Sequence, residues 1–269
     1  MTAETRRPPR ILAIAGSDSS GGAGMQADIK TITMLGGYAM TAITALTAQN
    51  TRGVTAVETL SPDFVAAQID ACLEDIGTEA VKIGMLGSAD IAEVVADRLE
   101  ELPCPIVFDP VMVATSGSVL ADASTIEAFG WLMEIATLIT PNLPELAALT
   151  GMDTSGPNSI AAATQALAER TGTAVLAKGG HTDGDRLVDR LIHPGGGFAS
   201  FEDARIDTRH THGTGCTLSS AIATLLGHGQ GLDHAVRLGR QFTRAAIAQA
   251  PGFGSGSGPL GHQAVRPER

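Results

Sequence analysis

The sequence predicts an α/β fold of three layers, with a mostly parallel central sheet covered by helices on both faces. Apolar, β-rich runs alternate with helix-period stretches of about a dozen residues along nearly the whole chain, the signature of βαβ units. At 269 residues, with 43% hydrophobic and 17% charged residues, the chain is long and apolar enough for a sizeable core in one or two domains. Glycine clusters and isolated polar residues fall just after predicted strands, at the carboxyl ends where such sheets bind ligands.

The elements follow in order. RILAIAG reads as a buried strand, followed by a Gly/Ser loop and a helix over residues 25–36. AMTAITALTAQN is rich in β-branched residues and reads as a strand. A helix over 61–77 has Ser61 as N-cap and apolar positions at Phe64, Val65, Ile69, Cys72, Leu73 and Ile76. Then come strand AVKIGML, helix 89–102, strand CPIVFDP, helix 123–134 and strand TLITP. Helix NLPELAALTG ends at Gly151, a suitable C-cap, and helix 159–172 leads into strand TAVLAKGG. Residues 185–207 read as an excursion of two or three strands around HPGGG, and two helices close the chain. Right-handed crossovers between parallel strands place helices on both faces. GFGSGSGPLGH, near the end, reads from composition as a flexible tail.

Composition narrows the partners. Aromatic residues are only 3%, so Ala, Val, Ile, Leu and Met must build the core. Eighteen basic against 29 acidic residues give a formal charge of −11, which disfavours nucleic acid and anionic membranes while leaving room for a locally positive pocket. No apolar run is long enough to span a bilayer, and the basic TRRPPR start is too short for a transit peptide. Cys72, Cys104 and Cys216 are well separated and suggest no framework of bridges, which points to a reducing cytoplasm.

Seven stretches carry candidate chemistry. AGSDSSGGAGMQAD is a glycine-rich strand-to-helix loop that suits a phosphate or close backbone approach, and equally a plain turn; it is neither a Walker loop nor G-x-G-x-x-G. Asp28 lies one turn into the following helix, facing either the same space or the surface. Gln49 ends a buried strand with an amide suited to a heteroaromatic ring, or to capping a turn. Met85, Val111 and Met112 are adaptable walls or ordinary core, and Asp109 at a strand end is a metal-side carboxylate or a turn former. Asn142 and Glu145 share a helix start, where they suit Mg²⁺ or a capping box. Lys178 precedes two glycines at a strand end and suits a triphosphate or a surface turn. In HTHGTGCTLSSAIATLL, Gly213, Thr214 and Gly215 open a helix whose free N–H groups and dipole favour an anion. Cys216 lies in its first turn, where the dipole lowers a thiol pKa and favours a base or nucleophile. His210 and His212 read as loop residues, since no third metal ligand is evident.

In combination and order, AGSDSSGGAGMQADIK, ITALTAQNTRGV, KIGML, DPVM, LITPNLPE, KGGH and THGTGCTLSSAIA resemble the hydroxymethylpyrimidine/phosphomethylpyrimidine kinases of the ribokinase-like superfamily, over residues 10 to 250. The resemblance implies a kinase domain over 10–269 after a disordered arm at 1–9. It implies ATP-dependent phosphorylation of 4-amino-5-hydroxymethyl-2-methylpyrimidine, then of its monophosphate, for thiamine, with Mg²⁺ and a homodimer. By matching position, Gln49, Asp28, Met85, Val111 and Gly16 would meet the pyrimidine. Asn142, Lys178, Thr208 and Thr211 would meet ATP, and Asp109 and Glu145 would serve the metal. Gly213, Thr214 and Gly215 would form an anion hole, with Cys216 as catalytic base. The GSGPLGH segment then belongs near the nucleotide. Thr115 stands where many relatives carry lysine, and Ser19 where the family carries proline. A pyridoxal kinase and a non-catalytic nucleotide or vitamin sensor are the competing readings.

Overall fold

A computed structural model describes residues 7–113, 117, 119–181 and 185–265. The chain runs β1 (Arg10–Asp18), α1 (Gly24–Met34), β2 (Tyr38–Asn50), β3 (Gly53–Thr59), α2 (Pro62–Asp75), β4 (Ala80–Ile83), α3 (Ala89–Leu99) and β5 (Ile106–Phe108). It continues through α4 (Ala123–Ile135), β6 (Leu138–Ile139), α5 (Leu143–Thr150), α6 (Pro157–Thr171), β7 (Ala174–Ala177), β8 (Arg186–Ile192) and β9 (Phe198–Ala204), and ends with α7 (Thr214–Gly227) and α8 (Leu232–Ala248). Among the described residues nine strands form one sheet in the order β3-β2-β1-β4-β5-β6-β7-β8-β9. The run from β2 to β7 is parallel, while β3 at one edge and the β8–β9 hairpin at the other are antiparallel.

Side-chain alternation along the buried strands divides the core in two. Leu12, Ile14, Val81, Ile83, Ile106 and Phe108 pack on one face against residues of α2, α3, α4 and α6. Ile11, Ala13, Ala15, Ala80 and Val107 pack on the other with Met25 and Ile32 of α1, Ile222 of α7 and Val236 of α8. With both faces covered, parallel strands read as continuous apolar runs, which is why the sequence announces them. Helix α7 is the central element: every residue from Thr217 to Leu226 is buried.

Local signals are realised where they were legible. Ser61 caps α2 by accepting from the Phe64 N–H, and Gly151 closes α5 in the left-handed region, at φ 68°. The 185–207 excursion is the β8–β9 hairpin, turning at Gly195 and Gly196 with φ 89° and 102°. Strand β3 was not expected: GVTAVET is an exposed edge paired only with β2, so it lacks the apolar periodicity of a core strand. Within the expected arm at 1–9, Pro9 is buried and its carbonyl accepts from the Tyr38 N–H, while residues 1–6 lie outside the described residues. The glycine-rich stretch near the end is packed rather than loose. Gly256 N–H donates to Thr51 Oγ1 at 3.3 Å, and Pro259 bridges to His212.

Candidate active site

The carboxyl ends of the parallel strands open into a cavity of about 900 Å³. It lies where strand order reverses between β1 and β4, with α7 pointing its N-terminus into it. Gly16, Gln49, Met85, Asp109 and Val111 line it, as do Asn142, Glu145, Lys178 and Thr211, and Gly213, Thr214, Gly215 and Cys216 close one side.

The α7 terminus is built by glycine. Gly213 has φ 87°, and a Cβ there would overlap the Gly22 carbonyl of the β1–α1 loop. The first intrahelical bond runs from Thr217 N–H to the Gly213 carbonyl, so the N–H groups of Gly215 and Cys216, on residues that line the cavity, precede it. A Cβ on Gly215 would sit 3.3 Å from both Asp109 Oδ2 and Lys178 Nζ, so a side chain there would crowd those two groups at the helix end.

Asp109 is buried at the end of β5. Lys178 Nζ donates to its Oδ1 at 2.7 Å and Thr140 Oγ1 donates to the same oxygen at 3.0 Å. Glu145 Oε2 lies 4.0 Å from Lys178 Nζ. Asn142 and Glu145 form a reciprocal capping box, so the structural reading of that pair is realised while both side chains also line the cavity. Burial pushes the Glu145 carboxyl up to about 7 against the pull of Lys178, and Asp109 raises it further. Two hard carboxylates around one ammonium suit Mg²⁺, which binds through one or two carboxylates and completes its shell with water and phosphate oxygens. Among the described residues no group of three or more His, Cys, Asp or Glu gathers around one point.

Cys216 is half-buried on the cavity wall. Burial pushes its thiol up to about 11, with Lys82 pulling down, Asp28 and Asp109 pushing up, and the Gly24 N–H pulling down. The sequence-based expectation of a lowered thiol pKa is therefore corrected: desolvation at this position outweighs the helix terminus.

Two further expectations are corrected. Asp28 does not reach the cavity. It is fully buried, receives Lys82 Nζ at 2.8 Å and accepts from Ser220 Oγ at 2.7 Å. One turn into α1, it faces the sheet rather than the pocket. Thr208 also stays off the cavity wall, its Oγ1 accepting from the His210 N–H at 3.1 Å. Thr115 lies outside the described residues.

The structure adds a residue that sequence reasoning set aside. His212 is buried, and its Nε2 lies 2.8 Å from Asp18 Oδ2 and 3.4 Å from Gln49 Nε2. Burial opposes the charge of Asp18, but His212, Ser20 and the N–H groups of Ala23 and Ser20 outweigh it and hold the carboxyl down to about 2. This carboxylate folds the glycine-rich loop over itself and ties it to the residue before Gly213. Ser19, at the proline position of the family, exchanges two hydrogen bonds with the Gln49 backbone at 2.8 and 2.9 Å. Gly16 sits at a register break in β1, and a Cβ there would collide with the Met85 methyl. This end of the cavity is thus shaped by Gly16, Met85 and Gln49 together.

A three-layer fold of this topology, with a glycine-opened helix terminus beside Asp109, Lys178 and Cys216, has the ribokinase-like architecture. The family model for phosphomethylpyrimidine kinase matches residues 18–261. The chain is 46% identical over 255 residues to the hydroxymethylpyrimidine/phosphomethylpyrimidine kinase of Rhizobium meliloti, covering 93% of this chain and 96% of that one. It is 45% identical over 262 residues to the thiamine biosynthesis multifunctional protein ThiED of Corynebacterium efficiens, covering 96% of this chain but only 35% of that protein. With ThiED of Geobacter sulfurreducens the share is 52% of the relative, so the chain spans a third to a half of these longer relatives. Among solved structures, an ADP complex of Bacillus subtilis pyridoxal kinase superposes with a TM-score of 0.89 at 34% identity, covering 97% of this chain and 100% of that one. A phosphomethylpyrimidine kinase from Clostridium difficile 630 superposes with a TM-score of 0.79 at 39% identity, covering 89% and 99%. The chain belongs to the phosphomethylpyrimidine kinase family.

Proposed function

We propose that this chain transfers the γ-phosphoryl group of ATP to the hydroxymethyl oxygen of 4-amino-5-hydroxymethyl-2-methylpyrimidine, and then phosphorylates the monophosphate, in thiamine biosynthesis. The observation that carries the reading is a single cavity that joins Gln49, Met85 and Gly16 to Cys216 and the α7 terminus. Gln49 offers the ring an amide with donor and acceptor, while Met85 and Val111 give apolar contact. The acceptor oxygen attacks the γ-phosphorus as its bond to ADP breaks. Its proton passes to the Cys216 thiolate, and the N–H groups after Thr214 take up negative charge on the transferring group. Phosphoryl transfer through a loose transition state calls chiefly for positioning and charge neutralisation, so the acceptor proton leaves late and a basic sulfur suits the task.

Asn142, Lys178 and Thr211 line the cavity and would meet the phosphates, and Asp109 with Glu145 would hold Mg²⁺. Held there, Mg²⁺ would supply charge neutralisation for the phosphate chain. Solved neighbours with ADP and with AMP-PCP support a nucleotide in this cavity. Three free cysteines among the described residues fit a reducing cytoplasm. The β2–β3 hairpin leaves Leu46 and Val57 45% and 46% exposed beside an open edge strand, which supports a homodimer. No described helix is long and apolar enough to cross a membrane.

A second reading, phosphorylation of pyridoxal, is favoured by one observation: several of the solved neighbours are pyridoxal kinases, including one from Staphylococcus aureus bound to AMP-PCP and pyridoxal. The two are separated by ATP consumption with hydroxymethylpyrimidine, with pyridoxal and with no acceptor, products being resolved by mass. The reading requires mono- and diphosphorylated pyrimidine as the dominant products. Faster turnover of pyridoxal, or ATP loss independent of acceptor, would contradict it.

A further inference from the structure

The strand β4 contains a lysine between Val81 and Ile83, on a segment with no exposed side chain. Lys82 is fully buried. Alternation places it on the face of Ala80, toward α1 and α7, while Val81 and Ile83 enter the opposite core. Its ammonium donates to Asp28 Oδ2 at 2.8 Å, and Asp28 Oδ1 accepts from Ser220 Oγ at 2.7 Å. Ser220 lies one turn after Cys216 on α7, on the same side of the helix. The ammonium also lies close under the strand end, since a Cβ on Gly84 would sit 2.6 Å from Lys82 Nζ. A lysine, an aspartate and a serine from three elements therefore converge beneath the first turn of α7, with no cavity contact of their own.

Isolated buried charges are costly, and a strand interior could be filled more cheaply by an apolar residue. Here the charge has something to act on. The charged groups that act electrostatically on Cys216 are Lys82 from β4, Asp28 from α1, Asp109 after β5 and Lys178 after β7. Lys178 and Asp109 are bound to each other, and Lys178 faces the phosphate side of the cavity. Lys82 is the cation that stays out of the cavity and away from any ligand. We propose that Lys82 is a positioning residue for phosphoryl transfer: clamped by Asp28, which Ser220 in turn holds, it is the fixed buried counter-charge for the Cys216 thiolate, and Asp28 attenuates it. The Asp28 carboxylate, Cys216 and Asp109 hold Lys82 above the ordinary lysine range despite burial, so the counter-charge is present throughout the working pH range.

This inference rests on Cys216 as the base, but its test does not depend on turnover. The probe is iodoacetamide, and the readout is the alkylation rate of Cys216 by peptide mapping, with Cys72 and Cys104 as internal references, across pH 7–10. Asp28→Asn keeps the shape and the Ser220 contact and frees the ammonium; Cys216 should alkylate about tenfold faster at a given pH, equivalent to one unit in the thiol. Lys82→Met alone leaves a buried carboxylate and is liable not to fold, so the double variant Lys82→Met/Asp28→Asn is used; it should alkylate severalfold more slowly than the parent. Opposite signs are the signature, because a merely loosened site would expose the sulfur and speed both variants. Equal rates in all three proteins, or a change of the same sign in both variants, overturns the proposal. If the signs come out as stated while Cys216→Ala retains full turnover, the counter-charge stands and the base assignment falls instead.

Discussion

At the scale of single residues, the account turns on a sulfur that is harder to ionise than its place on a helix suggests. Because burial carries the Cys216 thiol up to about 11, the thiolate is a minor species at neutral pH and its fraction grows tenfold per unit of rising pH. The value of kcat/KM, which reports the free enzyme, should therefore keep rising between pH 8 and pH 10 rather than level off near neutrality. Initial rates at subsaturating pyrimidine across that range check it, and a plateau from pH 7.5 upward would show that the sulfur does not ionise in the rate-determining sequence. The glycines and cysteine of the α7 terminus were legible because the residue types and their spacing at a helix start carry the chemistry directly. Asp28 was misread because a position one turn into a helix does not tell which side faces the sheet. Lys82 and His212 were overlooked because their meaning depends on partners 54 and 194 residues away along the chain. The available signal for Lys82 was a lysine inside an otherwise unbroken buried strand.

At the scale of elements, the start of α7 meets the β1–α1 loop backbone to backbone at Gly213, beside the His212–Asp18 side-chain contact. Gly213 lies at φ 87°, with its Cα facing the Gly22 carbonyl, so Gly213→Ala meets both a strained backbone and a clash. The backbone strain alone costs on the order of 1 kcal/mol, and the clash adds to it. The variant should melt several degrees lower and lose affinity for the phosphate end of ATP, measured by calorimetry, with the pyrimidine site less affected. Unchanged nucleotide affinity would remove the α7 terminus from phosphate binding. The alternation of buried strands and amphipathic helices made this architecture readable, since parallel strands must be covered on both faces. Strand β3 escaped because a solvated edge carries no such pattern, and the glycine-rich segment near the end was misjudged because composition does not reveal that Gly254 and Gly256 pack against Thr51.

At the scale of the whole molecule, that last segment closes the structure. His262 bonds Thr217 of α7 through Nε2 at 2.8 Å and is buried, so desolvation, with Lys30 adding to it, holds it down to about 4. A depressed histidine contributes stability that is complete above its unfolded value near 6.5 and is lost as pH falls toward 4. Thermal melts should drop over that interval by an amount on the order of 3 kcal/mol at most, and His262→Gln should flatten the slope there. An identical slope in the variant would assign the acid sensitivity elsewhere. The net charge of −11 does not by itself set the field in the cavity, where Lys178 and the N–H groups of the α7 terminus contribute positive potential.

The most direct measurement is turnover of Cys216→Ala with hydroxymethylpyrimidine and ATP, alongside the binding of each substrate. The account predicts a fall in kcat by roughly 10²–10⁴ with both affinities retained, the loss expected for a general base. Turnover equal to that of the parent would contradict it and leave the helix terminus as a binding site alone.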